Sequence, residues 1–225
     1  IPLCLHRKNI VLVLSEKQRR QLFEVELSRL KPTKLDFHYE DGIQTTPSEK
    51  KILILRYHDL IYAYKKGLLK NRQLIFPEAE FISNELREAM AIKITTKDWE
   101  YLINNNSNCE KSIIEFYENL SKRLFSQSIS PNCFIRIDNR EILTLKQILK
   151  DDFPSGMPWK GALDAVNSQW VTWAKLDNQT LTWVWNIQPL VPLQIISDLL
   201  SKNTLLMLFN SAITDSIFLD LNIKK

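Results

Sequence analysis

Glycine is scarce in this 225-residue chain, where only Gly42, Gly67, Gly156 and Gly161 occur. A loop that cradles phosphate needs clustered glycines, so that backbone amides can approach the anion. Neither G-x-G-x-x-G nor G-x-x-x-x-G-K-[ST] is present, which argues against a dinucleotide-binding or P-loop domain. Cysteine is also sparse. Cys4, Cys109 and Cys133 are odd in number, widely spaced and form no C-x-x-C. Neither a disulfide framework nor a zinc ribbon is supported, and a reducing cytoplasm is the expected compartment. No apolar run approaches the ~20 residues needed to span a bilayer. The opening segment, Ile1-Pro2-Leu3-Cys4-Leu5-His6, has neither a starting Met nor a charged-then-apolar layout. It is read as a trimmed start without a signal peptide.

Catalytic patterns are missing too. His6, His38 and His58 form no H-E-x-x-H and no His/Cys cluster, so a metal site lacks local support. His58 adjoins Asp59, but successive helical residues point about 100° apart and are not expected to pair. No G-x-S-x-G elbow occurs. Cys109 follows a loop at a helix start, where the dipole favours a thiolate, yet no histidine is near it in sequence. Asp138, Glu141 and Lys146 faintly resemble the acid–acid–lysine array of metal-dependent nucleases, but at the wrong spacing. Asp138 fits a hairpin turn better.

What is present begins with tryptophan. Five of the six fall between Trp159 and Trp185. Gln169–Leu176 and Thr180–Ile187 are rich in Trp, Val and Thr, which suit a pleated surface. Asp177-Asn178-Gln179 between them tolerates the conformations of a tight turn. Strand alternation then puts Trp170, Thr172 and Ala174 on one face with Leu181, Trp183 and Trp185. Trp173 and Val184 point to the other. Both faces carry apolar bulk, so the hairpin is expected to be sandwiched. Each Trp buries roughly 150–250 Å² and wants a partner for its N–H. Core packing is the plain explanation, partner anchoring the sharper one, and base stacking a third.

Charge is uneven. Residues 1–75 hold 15 Lys/Arg against 8 Asp/Glu, whereas residues 76–150 hold 10 against 11 and residues 151–225 hold 5 against 7. The net +4 therefore resides in the first third. That favours an acidic partner there or a solvated basic surface. No helix-turn-helix with a turn glycine and no RNP-type aromatic strand is visible.

Along the chain, Asn9–Leu14 reads as a buried strand. Ser15 with Gln18 forms a capping box, opening a helix that Pro32 stops. Lys34–Tyr39 alternates like a strand. Residues 48–70 read as a helix apolar over most of its circumference, with Lys50 and Lys51 at its start and Lys65, Lys66 and Lys70 at its end. Phe76-Pro77 opens another helix, with Phe81, Ile82, Leu86 and Met90 inward. A shorter one follows Thr95 and carries Trp99 and Leu102. Asn104–Asn108 reads as a linker. Glu110–Phe125 is amphipathic, with Ile113, Tyr117, Leu120 and Leu124 on one face. Cys133–Ile137 with Glu141–Leu143 reads as a hairpin, and Thr144 with Gln147 as a cap for a helix reaching about Asp152. Pro158 starts a helix holding Leu163 and Val166. Leu193–Lys202 and Leu205–Ala212 read as helices, and Ser216–Ile223 as a strand.

The expected class is α+β, helix-rich with short antiparallel hairpins, including the Trp-rich one at about 169–187. The expected division is a basic mixed α/β region over 1–104 and a helix-plus-hairpin region over 109–225, or one compact domain over 1–225. The leading functional expectation is a non-enzymatic regulatory or adaptor protein contacting another protein through Trp170, Trp173, Trp183 and Trp185. The first alternative is a nucleic-acid-binding transcriptional regulator using Arg19, Arg20, Lys50, Lys51, Lys65, Lys66 and Lys70. The second is an enzyme of unrecognised type, although the pattern leans away from catalysis. No catalytic, metal or cofactor-binding residue is singled out, and no cofactor is expected.

Overall fold

The computed structural model describes residues 9–30, 38–43, 51–128, 132–150, 158–165, 170–192, 196–198 and 205–209. The class is α+β. The chain forms two compact units, one of residues 1–90 and 192–225, the other of 91–191. The second unit is thus an insertion into the first. The segment 104–108, expected as a boundary, lies inside the second unit and joins two of its helices.

The first unit is built on five parallel strands: β1 (Ile10–Leu14), β2 (Tyr39–Asp41), β3 (Ile52–Arg56), β4 (Gln73–Pro77) and β9 (Leu205–Phe209). Their order across the sheet is β2-β3-β1-β4-β9. Parallel sheets are covered on both faces, so their strands read as unbroken apolar runs. Here Val11, Val13, Leu53, Leu55, Leu74 and Phe76 face α3 (Tyr57–Lys65) and α4 (Ile82–Met90) through Tyr57, Leu60, Ile61, Ala63, Ile82 and Leu86. The alternate residues Ile10, Leu12, Leu14, Ile52, Ile54 and Ile75 cluster with Leu22, Phe23 and Leu27. Those three come from the helical run α1 (Glu16–Arg20), a π-helical turn (Gln21–Glu26) and α2 (Leu27–Leu30).

This double burial explains two corrections. The expected helix over 48–70 is a strand, β3, followed by α3, and Lys51 directly precedes the strand. The expected helix over 205–212 is β9 at residues 205–209, paired in parallel with β4. An apolar run without alternation fits a buried strand and an all-round apolar helix equally well. Phe76-Pro77 ends β4 rather than opening a helix, and Phe81 is 50% exposed rather than inward. The Ser15 capping box is present: Ser15 Oγ accepts from the Gln18 amide at 3.3 Å, and Gln18 Oε1 accepts from the Ser15 amide at 2.9 Å. Gly67, at φ +69°, follows α3 in the left-handed conformation that lets a helix end. The expected strand over 216–223, the helix over 193–202 beyond 196–198, and the strand over 34–39 before His38 lie outside the described residues.

The second unit is a four-stranded antiparallel sheet with helices. The order is β5 (Ile92–Ile94), β8 (Thr182–Pro189), β7 (Trp170–Asp177) and β6 (Asn132–Arg136). Helices α5 (Thr96–Asn104), α6 (Glu110–Ser126), α7 (Asn139–Leu149) and α8 (Trp159–Ala165) pool their apolar residues in one cluster with one face of this sheet. The Trp-rich hairpin is present, turning through residues 178–181 and pairing Asp177 with Thr182. The hairpin expected at 133–143 is not. β6 pairs with β7, and Asp138 instead caps α7, its carboxylate accepting from the Arg140 amide at 3.0 Å. Thr144, expected as a cap, lies inside α7 and donates to the Arg140 carbonyl.

Candidate functional site

The tryptophans divide by strand parity. Thr172, Ala174, Leu176, Trp183, Trp185 and Ile187 lie on the helix-covered face and are buried. Trp183 and Trp185 are 2% and 0% exposed. Their rings pack around Trp99, which Trp159 meets edge-on at 4.9 Å between centroids. The N–H groups are placed: Trp183 donates to Ser121 Oγ, Trp185 to Thr172 Oγ1 and Trp159 to the Asp98 carbonyl. Trp183 and Trp185, expected as partner anchors, are therefore core residues, because four helices supply the apolar surface they need. Trp170 is half-buried and packs on the same cluster. Only Trp173 points away from it.

The opposite face is not sandwiched as expected. Phe134 is 68% and Val171 37% exposed, and Trp173 and Val184 are half-buried. The register brings these residues together. Arg136 of β6 lies opposite Trp173 of β7, which lies opposite Asn186 of β8, which lies opposite Lys93 of β5. In the next row Phe134 lies opposite Lys175, and Lys175 opposite Val184. Four residues of β6 and β7 thus form a square, with the aromatic rings of Phe134 and Trp173 on one diagonal and the cations of Arg136 and Lys175 on the other. Arg136, Lys175 and Lys93 are exposed. Arg136 and Lys175 form no ion pair among the described residues. The nearest acid in β7, Asp177, turns its carboxylate into the hairpin turn, accepting from the amides of Gln179 and Thr180. These bonds, that from the Thr180 side chain foremost, hold its pKa below the ordinary value. The square itself carries no negative charge.

The basic residues expected to bind nucleic acid are divided between two edges of the parallel sheet. Arg19 and Arg20 follow β1 at the carboxyl edge. Ligands of open α/β sheets gather beyond this edge, but here its arginines already have acidic partners. Arg19 grips Asp41 through two nitrogens, lies 5.0 Å from the Phe23 ring centroid, and has its pKa raised chiefly by the Asp41 hydrogen bond. Arg20 pairs with Glu16 at 3.7 Å. Arg56, at the end of β3, bonds Asp59 at 2.9 Å. Lys51, Lys65, Lys66 and Lys70 lie toward the amino edge, since Lys51 precedes β3 while α3 carries the chain back to the start of β4. Lys51 pairs with Glu40 at 3.4 Å, Lys66 sits 5.7 Å from the Tyr62 ring centroid, and Lys65 and Lys70 are exposed. Lys50 lies outside the described residues.

The other titratable candidates do not assemble a reactive centre. His58 Nε2 lies 3.5 Å from Asp59 Oδ1, contrary to the expectation from helical spacing. Asp59 turns back toward the Arg56 amide, and the imidazole reaches it from the side. Asp59 is shared with Arg56, so it serves the helix start. Cys109 precedes α6, and Cys133 Sγ lies 3.3 Å from Ser128 Oγ. Glu141 pairs with Arg123 at 2.7 Å, and both it and Lys146 are on α7 rather than on a strand. Among the described residues no three His, Cys, Asp or Glu side chains are grouped to hold a metal ion, and no helix is long and apolar enough to cross a membrane.

No protein-family model matches this chain, and no curated protein does. Solved structures do match. One, named XPD helicase, aligns with a TM-score of 0.53 and 7% sequence identity, covering 97% of this chain and 53% of that one. The likeness is one of fold, and the chain spans about half the length of the chain it matches.

Proposed function

We propose that this chain is a nucleic-acid-binding protein, acting as a regulator or as one subunit of a larger assembly, in the cytoplasm that its dispersed cysteines suggest. The observation that carries this reading is the square of Phe134, Lys175, Trp173 and Arg136. Cations beside exposed rings are what a nucleic-acid surface requires, because phosphates dominate affinity and bases offer flat π-faces. The fold likeness to a structure named a helicase agrees with this reading but does not establish it. Unwinding is no part of the proposal, since the likeness is one of fold and covers half of that chain.

The test is fluorescence anisotropy of labelled single-stranded and duplex oligonucleotides across a salt series. Binding is expected to weaken steeply with salt, and the double change Arg136→Glu with Lys175→Glu to reduce its salt slope by about two, roughly one per phosphate contact. Retained binding in that variant, with loss instead on changing Lys51, Lys65, Lys66 and Lys70 to Glu, would move the interface to the amino edge of the parallel sheet. Absence of binding at low salt would reject the reading.

A protein partner is the second reading, and the same face supports it. Trp and Arg are the residues most enriched at interface hot spots, and Trp173 and Arg136 lie side by side on a face that also exposes Phe134 and Val171. Under this reading the contact is an adaptor surface made by Trp173, with Trp170 at its margin.

A further inference from the structure

We infer that the square on β6 and β7 takes a single strand, with two successive bases stacked on Trp173 and Phe134 and the linking phosphate held between Arg136 and Lys175. This rests on the nucleic-acid reading above and specifies its ligand. Diagonal neighbours in an antiparallel pair stand about 7–8 Å apart, against about 5 Å for residues directly opposite. The two rings are on a diagonal, so each keeps a face for a ligand rather than for its neighbour. Among the described residues neither ring contacts another aromatic ring. A diagonal of that length suits consecutive nucleotides whose bases have left their own stack. The cations occupy the crossing diagonal, so a phosphate linking the two bases passes over the centre of the square, close to both. Asn186 and Lys93 continue the row of Arg136 and Trp173 across β8 and β5, which gives the strand a direction along which to leave. A duplex hides the faces of its bases. It can meet the cations of this surface but not its rings, and single strands are the ligands that stacking platforms select. No acid stands in the square to repel the backbone.

The experiment uses the whole chain, a labelled thymidine homopolymer and a labelled duplex. Phe134→Ala and Trp173→Ala are each expected to weaken single-strand binding about ten-fold or more, in line with the loss of one stacked base, and to leave duplex binding unchanged. Trp173→Phe is expected to restore most of the loss. Phe134 is so exposed that its variant keeps the fold even where Trp173→Ala does not. Equal binding of strand and duplex, unaffected by either aromatic change but abolished by Arg136→Glu with Lys175→Glu, would overturn this inference and leave the nucleic-acid reading standing. No binding of either probe would overturn both.

Discussion

The rings of Trp99 and Trp185 lie nearly parallel, 12° apart with centroids 6.2 Å from one another, at the centre of the second unit's core. Trp99 comes from α5 and Trp185 from β8, so this contact fastens the helical layer to the sheet. Truncating either ring leaves a cavity lined by the other aromatics. Trp99→Ala or Trp185→Ala is expected to cost about 3–5 kcal/mol, whereas Trp173→Ala should cost about 1 kcal/mol or less. Urea denaturation followed by circular dichroism gives the comparison. A Trp173 variant as unstable as the other two would mean that its face is packed rather than open.

Asp138 is expected to matter as a helix cap. Its carboxylate accepts from the Arg140 amide at the start of α7, and loss of such a cap costs about 1 kcal/mol. Asp138→Ala should therefore destabilise the chain by that amount, and Asp138→Ser should recover most of it. A residue needed only to turn a hairpin would not be rescued by serine in this way.

Glu85 provides a pH test. Burial holds its carboxyl above the ordinary value, and the charge of Glu88 adds to the shift. The folded state then binds this proton more tightly than the unfolded one. Below the unfolded pKa both states are protonated and the group contributes nothing. As pH rises toward the raised folded value, folding loses stability, and the loss persists at neutral pH. Glu85→Gln carries no such charge. Its melting temperature should exceed that of the parent at neutral pH and match it below about pH 4, a difference read by thermal melts at the two pH values.

The second unit is expected to fold when excised as residues 91–191. It has its own sheet and its own aromatic cluster. Its two ends also meet, since Ile92 pairs with Ile187. The isolated fragment should show near-ultraviolet dichroism from its tryptophans and a single cooperative urea transition. A fragment lacking both would show that its core depends on the rest of the chain.

Legibility followed the range of the interactions. The Ser15–Gln18 capping box and the helix at 110–126 were readable because both are settled within a few residues. The parity of the Trp hairpin was readable as well, since side chains alternate whatever the turn length. β3 and β9 were misread as helices, because burial on both faces erases the alternation that marks a strand. The square was not readable, although all four of its residues were in view. Phe134 and Arg136 became partners of Lys175 and Trp173 only through the pairing of β6 with β7, which the sequence separates by α7 and α8. Reading Asp138 as a turn had assigned β6 to a different neighbour.

The insertion also bears on the order of assembly. β4 and β9 pair directly, from Gln73 with Leu205 to Pro77 with Phe209, with the whole second unit between them in sequence. Joining such distant segments in an open chain means closing a very long loop, at an entropic cost that grows with its length. Once residues 91–191 have collapsed with their ends together, that loop is effectively a short one. The inserted unit can thus act as the clamp that makes the last parallel pairing of its host fast, and mutations that slow its folding should delay the docking of β9 more than that of β1 or β3.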